Sequence, residues 1–274
     1  MIKFAVIGDP IAHSLSPKMH NAALKELGIN GIYEAVRVPL EQLPDFADCA
    51  KKNLAGFNIT VPHKQNIIPL LDEISPGAAF AESVNTVTVK DGKLYGDSTD
   101  GYGLETALME SFGIPVAGSN IVFIGCGGAA HAAAAHFAIR GAARISILNR
   151  SVEKARQLAE KLRAGYPGTE TGAMPINDPE AIRSAMSGAQ VAIQCTSLGL
   201  KPDDPAPIDP ELLPDGICYY DTIYKRTALY RAAEAKGLRC ASGLGMLLHQ
   251  GARSLEIWTG RKAPVETMRA ALLA

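Results

Sequence analysis

The chain has 274 residues, of which 47% are hydrophobic and 20% are charged, and its formal net charge is -1. This composition is typical of a globular protein and argues against disorder, and the length is enough for two domains of ~100–150 residues. The near-neutral charge argues against a nucleic-acid partner, and no apolar run is long enough to span a bilayer.

The five cysteines are odd in number and form no Cys-x-x-Cys pair, which is typical of reduced thiols in a cytoplasmic protein. The apolar residues before Gly8 are too few for the apolar region of a signal peptide. We therefore expect a cytoplasmic protein that acts on a small molecule, without a metal site, a membrane or a nucleic-acid partner. Monomer and homodimer both stay open.

Short β-rich runs alternate with helical patterns in the first half, which predicts a mostly parallel sheet covered by helices. Strands are expected at 3–8, 32–38 and 55–61. A helix is expected over 17–27, with Ser16 as its N-cap and Gly28 after its end. Another helix begins near His63. Residues 86–97 then predict a β-hairpin around the turn Asp91-Gly92. Its register brings Asn85 and Asp100 to the same open end.

A helix over 103–112 leads into a second alternation of strands and helices, which predicts a Rossmann-like domain. Strands are expected at 120–124, 144–148, 190–194 and 217–220. The final helices are expected near 244–259 and 264–273. The pattern alone leaves open whether they pack on the first half of the chain.

A phosphate-binding turn is predicted at 125–130, where GCGGAA has the form G-x-G-x-x-A. Gly125 permits a tight turn, Gly127 allows a pyrophosphate to approach the backbone, and Ala130 allows close packing of the helix. The helix N-terminus offers free amide donors to phosphates. A strand before the motif and a helix after it make the match more specific. The alternative is a glycine-rich turn that serves packing alone.

The following strand predicts the kind of dinucleotide. It ends at Asn149-Arg150-Ser151, where an NAD site usually carries an acidic residue that binds the ribose hydroxyls. A guanidinium pairs well with a phosphate, so these residues favour NADP over NAD. Lys154, one turn later, either adds to this site or is a solvated charge on a helix face.

Polar side chains that suit a hydroxylated substrate follow two strands of the first half. Ser14 and Ser16 lie in the loop after the first strand, and Asn58 and Thr60 share one face of the third. Lys64 follows in the first turn of a helix, where the dipole disfavours a cation and would help the lysine to lose its proton. Lys64 could equally be solvated.

Asp100, at the open end of the hairpin, completes a candidate proton-transfer pair with Lys64. A carboxylate near a lysine suits alcohol–ketone chemistry. The competing interpretation is that Asp100 caps the helix that follows it.

On these residues the chain resembles the shikimate dehydrogenase family from end to end. The matching stretches are GDPIAHSLSPKMHN (8–21), GFNITVPHK (56–64), SVNT (83–86), STDGYG (98–103), GCGGAA (125–130), NRS (149–151), CTSLG (195–199), YDTIY (220–224) and GLGMLLHQG (243–251). The resemblance implies a two-domain α/β fold with a cleft between the domains. Residues 1–101 with 242–274 would bind substrate, and residues 102–241 would form the NADP-binding domain.

The resemblance also implies an activity, the reversible NADPH-dependent reduction of 3-dehydroshikimate to shikimate in aromatic amino-acid biosynthesis. It implies Lys64 and Asp100 as the catalytic pair. Substrate binding is implied for Ser14, Ser16, Asn58, Thr60, Lys64, Asn85, Asp100, Tyr224 and Gln250. NADP binding is implied for Gly125, Cys126, Gly127, Gly128, Ala129, Asn149, Arg150, Ser151, Lys154, Thr196, Ile223 and Gly243.

The chain departs from the family pattern at Ser98, Cys126, Ser242 and Lys225-Arg226, and the last of these could alter how the site closes. Three alternatives stay open: a quinate/shikimate dehydrogenase that uses NAD, a non-catalytic nucleotide sensor of the same fold, and a methyltransferase. Arg150 argues against the first, and the presence of both Lys64 and Asp100 argues against the second. The methyltransferase interpretation would not explain Arg150.

Overall fold

The computed structural model describes residues 1–201 and 203–274, and these form two compact units. The first unit comprises residues 1–103 and 247–274, and the second comprises residues 104–246. Each unit contains one six-stranded sheet. From the sequence, the boundaries between the two domains are expected at 101/102 and 241/242. In the structure the boundaries between the units lie two and five residues later.

The strands are β1 (Ile2–Gly8), β2 (Gly31–Arg37), β3 (Gly56–Ile59), β4 (Glu73–Ile74), β5 (Thr86–Lys90), β6 (Lys93–Asp97), β7 (Asn120–Ile124), β8 (Arg144–Asn149), β9 (Glu170–Pro175), β10 (Val191–Gln194), β11 (Cys218–Asp221) and β12 (Cys240–Ser242). The α-helices are α1 (Ser16–Glu26), α2 (Leu43–Asn53), α3 (His63–Asn66), α4 (Pro76–Ala81), α5 (Asp100–Phe112), α6 (Gly128–Ile139), α7 (Val152–Gly165), α8 (Pro179–Met186), α9 (Ala228–Ala235), α10 (Leu244–Thr259) and α11 (Val265–Leu273). Short 3₁₀ helices cover Leu40–Gln42, Ile68–Leu70 and Pro210–Leu212.

The sheet of the first unit has the order β2-β1-β3-β5-β6-β4. Strands β1, β2 and β3 are parallel, whereas β5 is antiparallel to both β3 and β6. Alternate residues of β1 enter two separate cores: Phe4 packs with Leu248, Leu255 and Met268, and Ile7 packs on the opposite face. The final helices therefore bury their apolar faces in the first unit, which the pattern alone left open.

The second unit contains a parallel sheet of order β12-β11-β10-β7-β8-β9. Counted from β7, this is the doubly wound order 3-2-1-4-5-6, so the predicted Rossmann-like fold is confirmed. The strand order reverses between β7 and β10, and ligands of such sheets bind at the carboxyl ends of the strands beside that point. Helix α6 packs closely there because its buried face consists largely of alanines, among them Ala130.

Two details of the expected elements are wrong. Ser16 does not cap α1: Leu15 occupies the N-cap position, and the Ser16 N–H donates to Ser14 Oγ at 3.3 Å. Ser14 thus supplies the capping acceptor from two residues earlier. Helix α5 begins at Asp100 and not near residue 103. In the part of the chain that the structure describes, no helix is long and apolar enough to cross a membrane.

Candidate active site

An ion pair between Lys64 and Asp100 lies at the centre of the polar cluster of the first unit. Lys64 is carried by α3, directly after the β3 segment, and Asp100 is the first residue of α5 after the hairpin. Lys64 Nζ lies 2.5 Å from Asp100 Oδ2, and the two side chains are 17% and 6% exposed. The proposed proton-transfer pair is therefore formed, and it is largely shielded from water.

Asn85 holds the other oxygen of the Asp100 carboxylate. Its Nδ2 donates to Asp100 Oδ1 at 2.9 Å, so each carboxylate oxygen accepts one side-chain hydrogen bond. The same amide nitrogen lies 3.1 Å from Gln250 Oε1, and Gln250 Nε2 donates to the Leu247 carbonyl within α10. Four residues predicted from sequence thus form one bonded group: Lys64, Asn85, Asp100 and Gln250.

The helix dipole that was expected to act on Lys64 is small. Helix α3 contains four residues, and the macrodipole grows with the number of aligned peptides. The contact that the structure gives Lys64 is instead with the Asp100 carboxylate.

Asn58 belongs to a buried network of hydroxyl and amide groups behind this pair. Its Nδ2 lies 2.9 Å from Ser254 Oγ, 3.1 Å from Thr86 Oγ1 and 3.0 Å from the Asn85 carbonyl. Thr86 and Thr99 in turn bond with Asn85 Oδ1. The predicted residues did not include Thr86, Thr99 or Ser254. A usable signal existed for Ser254, which lies four residues after Gln250 and hence on the same helix face.

The remaining predicted substrate residues of the first unit lie in two places. Ser14 and Ser16 are joined by the hydrogen bond at the start of α1, and Ser16 is buried. Thr60 is half-buried just beyond β3. Its methyl group packs close to Gly8, and a Cβ added at Gly8 would lie 2.6 Å from that methyl carbon. Tyr224 belongs to the second unit, where it is 43% exposed.

The glycine turn of the second unit follows β7, at the reversal of strand order. Gly125 has φ +107°, and a Cβ there would lie 2.8 Å from Thr196 Cγ2 and 3.0 Å from two backbone atoms. The packing of the turn on the loop after β10 therefore requires glycine. Gly127, the N-cap residue of α6, differs: its φ is -95°, and the nearest atom to an added Cβ is the Cys195 carbonyl oxygen at 3.8 Å. No contact from the described residues requires glycine there.

The segment after β8 presents two cations without a carboxylate partner among residues 1–201 and 203–274. Asn149 Nδ2 donates to the Ser151 carbonyl at 2.9 Å and shapes the turn. Arg150 and Lys154 are exposed and have no ion pair, whereas the neighbouring Arg156 pairs with Glu153. Free cationic groups at this edge of the sheet suit a phosphate.

Cys126 belongs to the glycine turn, and its side chain approaches α7. Its Sγ is 3.5 Å from His131 Nε2 and 3.7 Å from the Lys154 carbonyl oxygen. Burial raises the pKa of the Cys126 thiol to about 11, although the charge of Lys154 lowers it. The thiol is therefore protonated at neutral pH and acts as packing beside the turn.

The loops after β10 and β11 carry the other predicted cofactor residues. Thr196 Oγ1 accepts from the Leu198 N–H, and the Ile223 N–H donates to the buried Asp221 carboxylate at 2.9 Å. Burial raises the pKa of Asp221, and hydrogen bonds from Thr227, Ile223 and Tyr219 oppose that rise. Gly243 lies under the same loop, where a Cβ would lie 2.1 Å from the Thr222 carbonyl oxygen. The loop conformation is thus set by buried groups.

Three family models match the chain in succession. A model described as the shikimate dehydrogenase substrate binding domain matches residues 6–87, one described as shikimate / quinate 5-dehydrogenase matches residues 107–199, and one described as the shikimate 5'-dehydrogenase C-terminal domain matches residues 243–273.

Individual relatives match over nearly the whole chain. The shikimate dehydrogenase (NADP(+)) of Symbiobacterium thermophilum is 42% identical, covering 98% of this chain and 92% of that protein. The crystal structure of the Listeria monocytogenes enzyme with shikimate and NAD has 35% identity and a TM-score of 0.91, covering 99% of this chain and 96% of that one. The Thermus thermophilus enzyme with NADP(H) and shikimate has 36% identity and a TM-score of 0.87, covering 100% and 99%.

Proposed function

The chain belongs to the shikimate dehydrogenase family, and we propose that it is an NADP-dependent oxidoreductase that reversibly reduces 3-dehydroshikimate to shikimate in aromatic amino-acid biosynthesis. The observation that carries this proposal is the shielded Lys64–Asp100 pair. A nucleotide sensor of the same fold would have no need of a buried ion pair, because burying two charges costs free energy unless their geometry is good.

Lys64 has the geometry of a donor to the reacting oxygen. An ammonium has three N–H donors, and Asp100 accepts one of them. The other two are available to hold the substrate oxygen and to pass it a proton as the carbonyl becomes an alcohol. Asp100, fixed by Asn85 on its other oxygen, keeps the ammonium in place. Bound NADPH supplies the hydride.

The first unit supplies the substrate-binding groups in this proposal. Asn85 and Gln250 flank the ion pair and suit ring hydroxyls, which both donate and accept. Ser14 and Ser16 at the start of α1, together with Asn58 and Thr60 at β3, complete the predicted contacts to hydroxyls and carboxylate. Tyr224 is proposed to contact the substrate from the loop after β11.

The second unit fits NADP at two positions. The open space at Gly127, where nothing approaches an added Cβ within 3.8 Å, suits a pyrophosphate on the N-terminus of α6. Gly125, Cys126, Gly128 and Ala129 form the rest of that turn. The unpaired Arg150 and Lys154, with Asn149 and Ser151, suit the 2′-phosphate. Thr196, Ile223 and Gly243 are proposed to line the nicotinamide side.

The alternative enzyme is a quinate/shikimate dehydrogenase that uses NAD. The Listeria monocytogenes relative was solved with NAD, so the cofactor preference of this chain depends on its own residues. Arg150 would gain a charge-assisted bond from the 2′-phosphate of NADP that NAD does not offer, and no observation in the second unit favours NAD.

We further propose that the protein works in the cytoplasm on a small molecule, as a monomer or homodimer, and does not bind nucleic acid. The net charge of -1 supports the last point. Within residues 1–201 and 203–274 the five cysteines form no disulfide, which is compatible with a reducing compartment. The roles of the two units, substrate binding for the first and NADP binding for the second, belong to the same proposal.

The Lys64→Ala variant tests the proposed function. Loss of the donor should lower kcat for shikimate oxidation by ~10²–10⁴-fold, while the Kd for NADP, measured by fluorescence titration, stays within twofold. Lys18→Ala removes an exposed lysine of α1 and should leave both quantities unchanged. Shikimate oxidation by Lys64→Ala at the parent rate would show that the mechanism is wrong.

A further inference from the structure

Tyr33, which the predicted site does not include, is held from several sides within the first unit. Its backbone N–H and C=O bond with the Asn21 carboxamide at 2.9 and 2.8 Å. Its ring stacks on that of His20, with centroids 4.1 Å apart and planes 2° apart. The residue is 1% exposed. The Tyr33 hydroxyl therefore has one fixed position, away from solvent.

The stack on His20 involves two neutral rings. His20 is completely buried, and burial lowers its pKa to about 3. Within residues 1–201 and 203–274, neither of its ring nitrogens has a hydrogen-bond partner. His20 thus supports Tyr33 through ring contact, and the hydroxyl of Tyr33 is left to make the polar contacts.

That hydroxyl holds the oxygen end of the Asn58 amide. The amide group of Asn58 lies 3.0 Å from the Asn85 backbone carbonyl, which can only accept, so the Asn58 nitrogen must face it. The Asn58 oxygen then faces Tyr33 at 2.8 Å, and the phenol must be the donor. Burial raises the pKa of the Tyr33 hydroxyl, and the nearby Ser16 side chain opposes that rise.

Further hydrogen bonds connect the Asn58 amide to the Lys64–Asp100 ion pair. The Asn58 nitrogen bonds with Thr86 Oγ1 at 3.1 Å, and Thr86 Oγ1 bonds with Asn85 Oδ1 at 2.9 Å. Asn85 Nδ2 in turn donates to Asp100, the partner of Lys64. A continuous series of buried hydrogen bonds therefore connects Tyr33 to the proposed proton donor.

We infer that Tyr33 is a positioning residue of the substrate site, whose hydroxyl holds the oxygen end of the Asn58 amide in place without contacting the substrate. This inference rests on the proposed function. Removing the hydroxyl leaves the buried Asn58 oxygen without its donor, so the amide is held at its nitrogen end alone and its position is less well fixed. Shikimate binding is then weakened, whereas NADP binding in the second unit is not affected.

Tyr33→Phe tests this inference, because phenylalanine keeps the ring stack on His20 and deletes only the hydroxyl. The KM for shikimate should rise at least tenfold, with kcat changed less than threefold and the KM for NADP within twofold. Leu94→Ala is the control for lost stability: Leu94 is fully buried in the core cluster that contains Ile7 and not in the network. It should destabilise the protein and leave both KM values unchanged.

Thr86→Val provides a second variant should Tyr33→Phe fail to fold, because valine matches the shape of threonine and removes the hydroxyl that bonds with both Asn58 Nδ2 and Asn85 Oδ1. It should raise the KM for shikimate at least threefold, again without changing that for NADP. Parent KM values for shikimate in the folded variants would overturn the inference and leave a structural role for Tyr33. Absence of shikimate oxidation in the parent would instead overturn the proposed function.

Discussion

Replacing Gly127 with alanine should separate cofactor binding from folding. The residue adopts φ -95° and ψ -175°, a conformation open to any L-residue. The nearest atom to an added Cβ lies 3.8 Å away, which is ordinary contact. Alanine is a poorer N-cap than glycine but reduces the entropy of the unfolded chain, and these effects oppose one another. The free energy of unfolding should therefore change by no more than about 1 kcal/mol.

The methyl group would instead occupy the space through which a pyrophosphate reaches the N-terminus of α6. Loss of one hydrogen bond to a charged group costs about 1.5–3 kcal/mol, which corresponds to a roughly tenfold to hundredfold rise in the KM for NADP. The KM for shikimate should stay within twofold. Initial rates at varied NADP, with unfolding measured in urea, give both quantities from one preparation.

Two matched glycine variants complete this experiment. Gly168→Ala adds a methyl group where nothing lies within 4 Å, in the turn after α7, and should change neither KM nor stability. Gly125→Ala places alanine at φ +107° against the backbone of residues 195–196 and should lose stability as well as NADP binding. The reasoning would be refuted if Gly127→Ala kept the parent KM for NADP, or if it lost as much stability as Gly125→Ala.

Three further variants test the cofactor preference, the buried histidine and the ion pair. Arg150→Ala should lower kcat/KM for NADP tenfold to hundredfold and change that for NAD less than threefold; equal losses for both cofactors would contradict a 2′-phosphate contact. The pKa of His20 falls from 6.5 to about 3 on folding, so the unfolded chain binds the extra proton and stability falls as the pH drops below 6.5. Between pH 6.5 and 5 this should cost about 1.6 kcal/mol, and His20→Phe should show a correspondingly flatter pH dependence in urea unfolding; an unchanged slope would exclude a neutral buried ring. Asp100→Asn keeps the side-chain shape but removes the counter-charge of Lys64, and should lower kcat/KM for shikimate at least a hundredfold with an unchanged Kd for NADP; parent kinetics would remove Asp100 from the mechanism.

The central strands and the ends of several helices could be predicted from sequence because strong local patterns define them. Helix α6, for example, begins after a glycine turn and ends before Gly141, which has φ +80°. Strands β4, β9 and β12 were not predicted. Each lies at an edge of its sheet, and they have two, six and three residues. An edge strand pairs on one side only, so its sequence carries less β-branched, apolar pattern.

In the candidate site, too, a contact between residues close in sequence could be predicted, whereas a contact between residues far apart in sequence could not. The hairpin register placed Asn85 beside Asp100 from the turn alone, and the structure confirms that they meet at 2.9 Å. Ser16 failed as a helix cap because Ser14, two residues earlier, supplies the acceptor. Tyr33 could not be found, since its contact with Asn58 joins residues 25 positions apart and a tyrosine in an edge strand has no local feature that marks a polar role.

Oxidation of shikimate and of quinate by the purified protein, each with NADP and with NAD, tests the account most directly. The four initial rates follow from the absorbance of the reduced nicotinamide. The account predicts the highest kcat/KM for shikimate with NADP, at least tenfold above shikimate with NAD, which is worth about 1.4 kcal/mol of transition-state stabilisation. Equal or faster turnover with NAD, or a preference for quinate over shikimate, would contradict it.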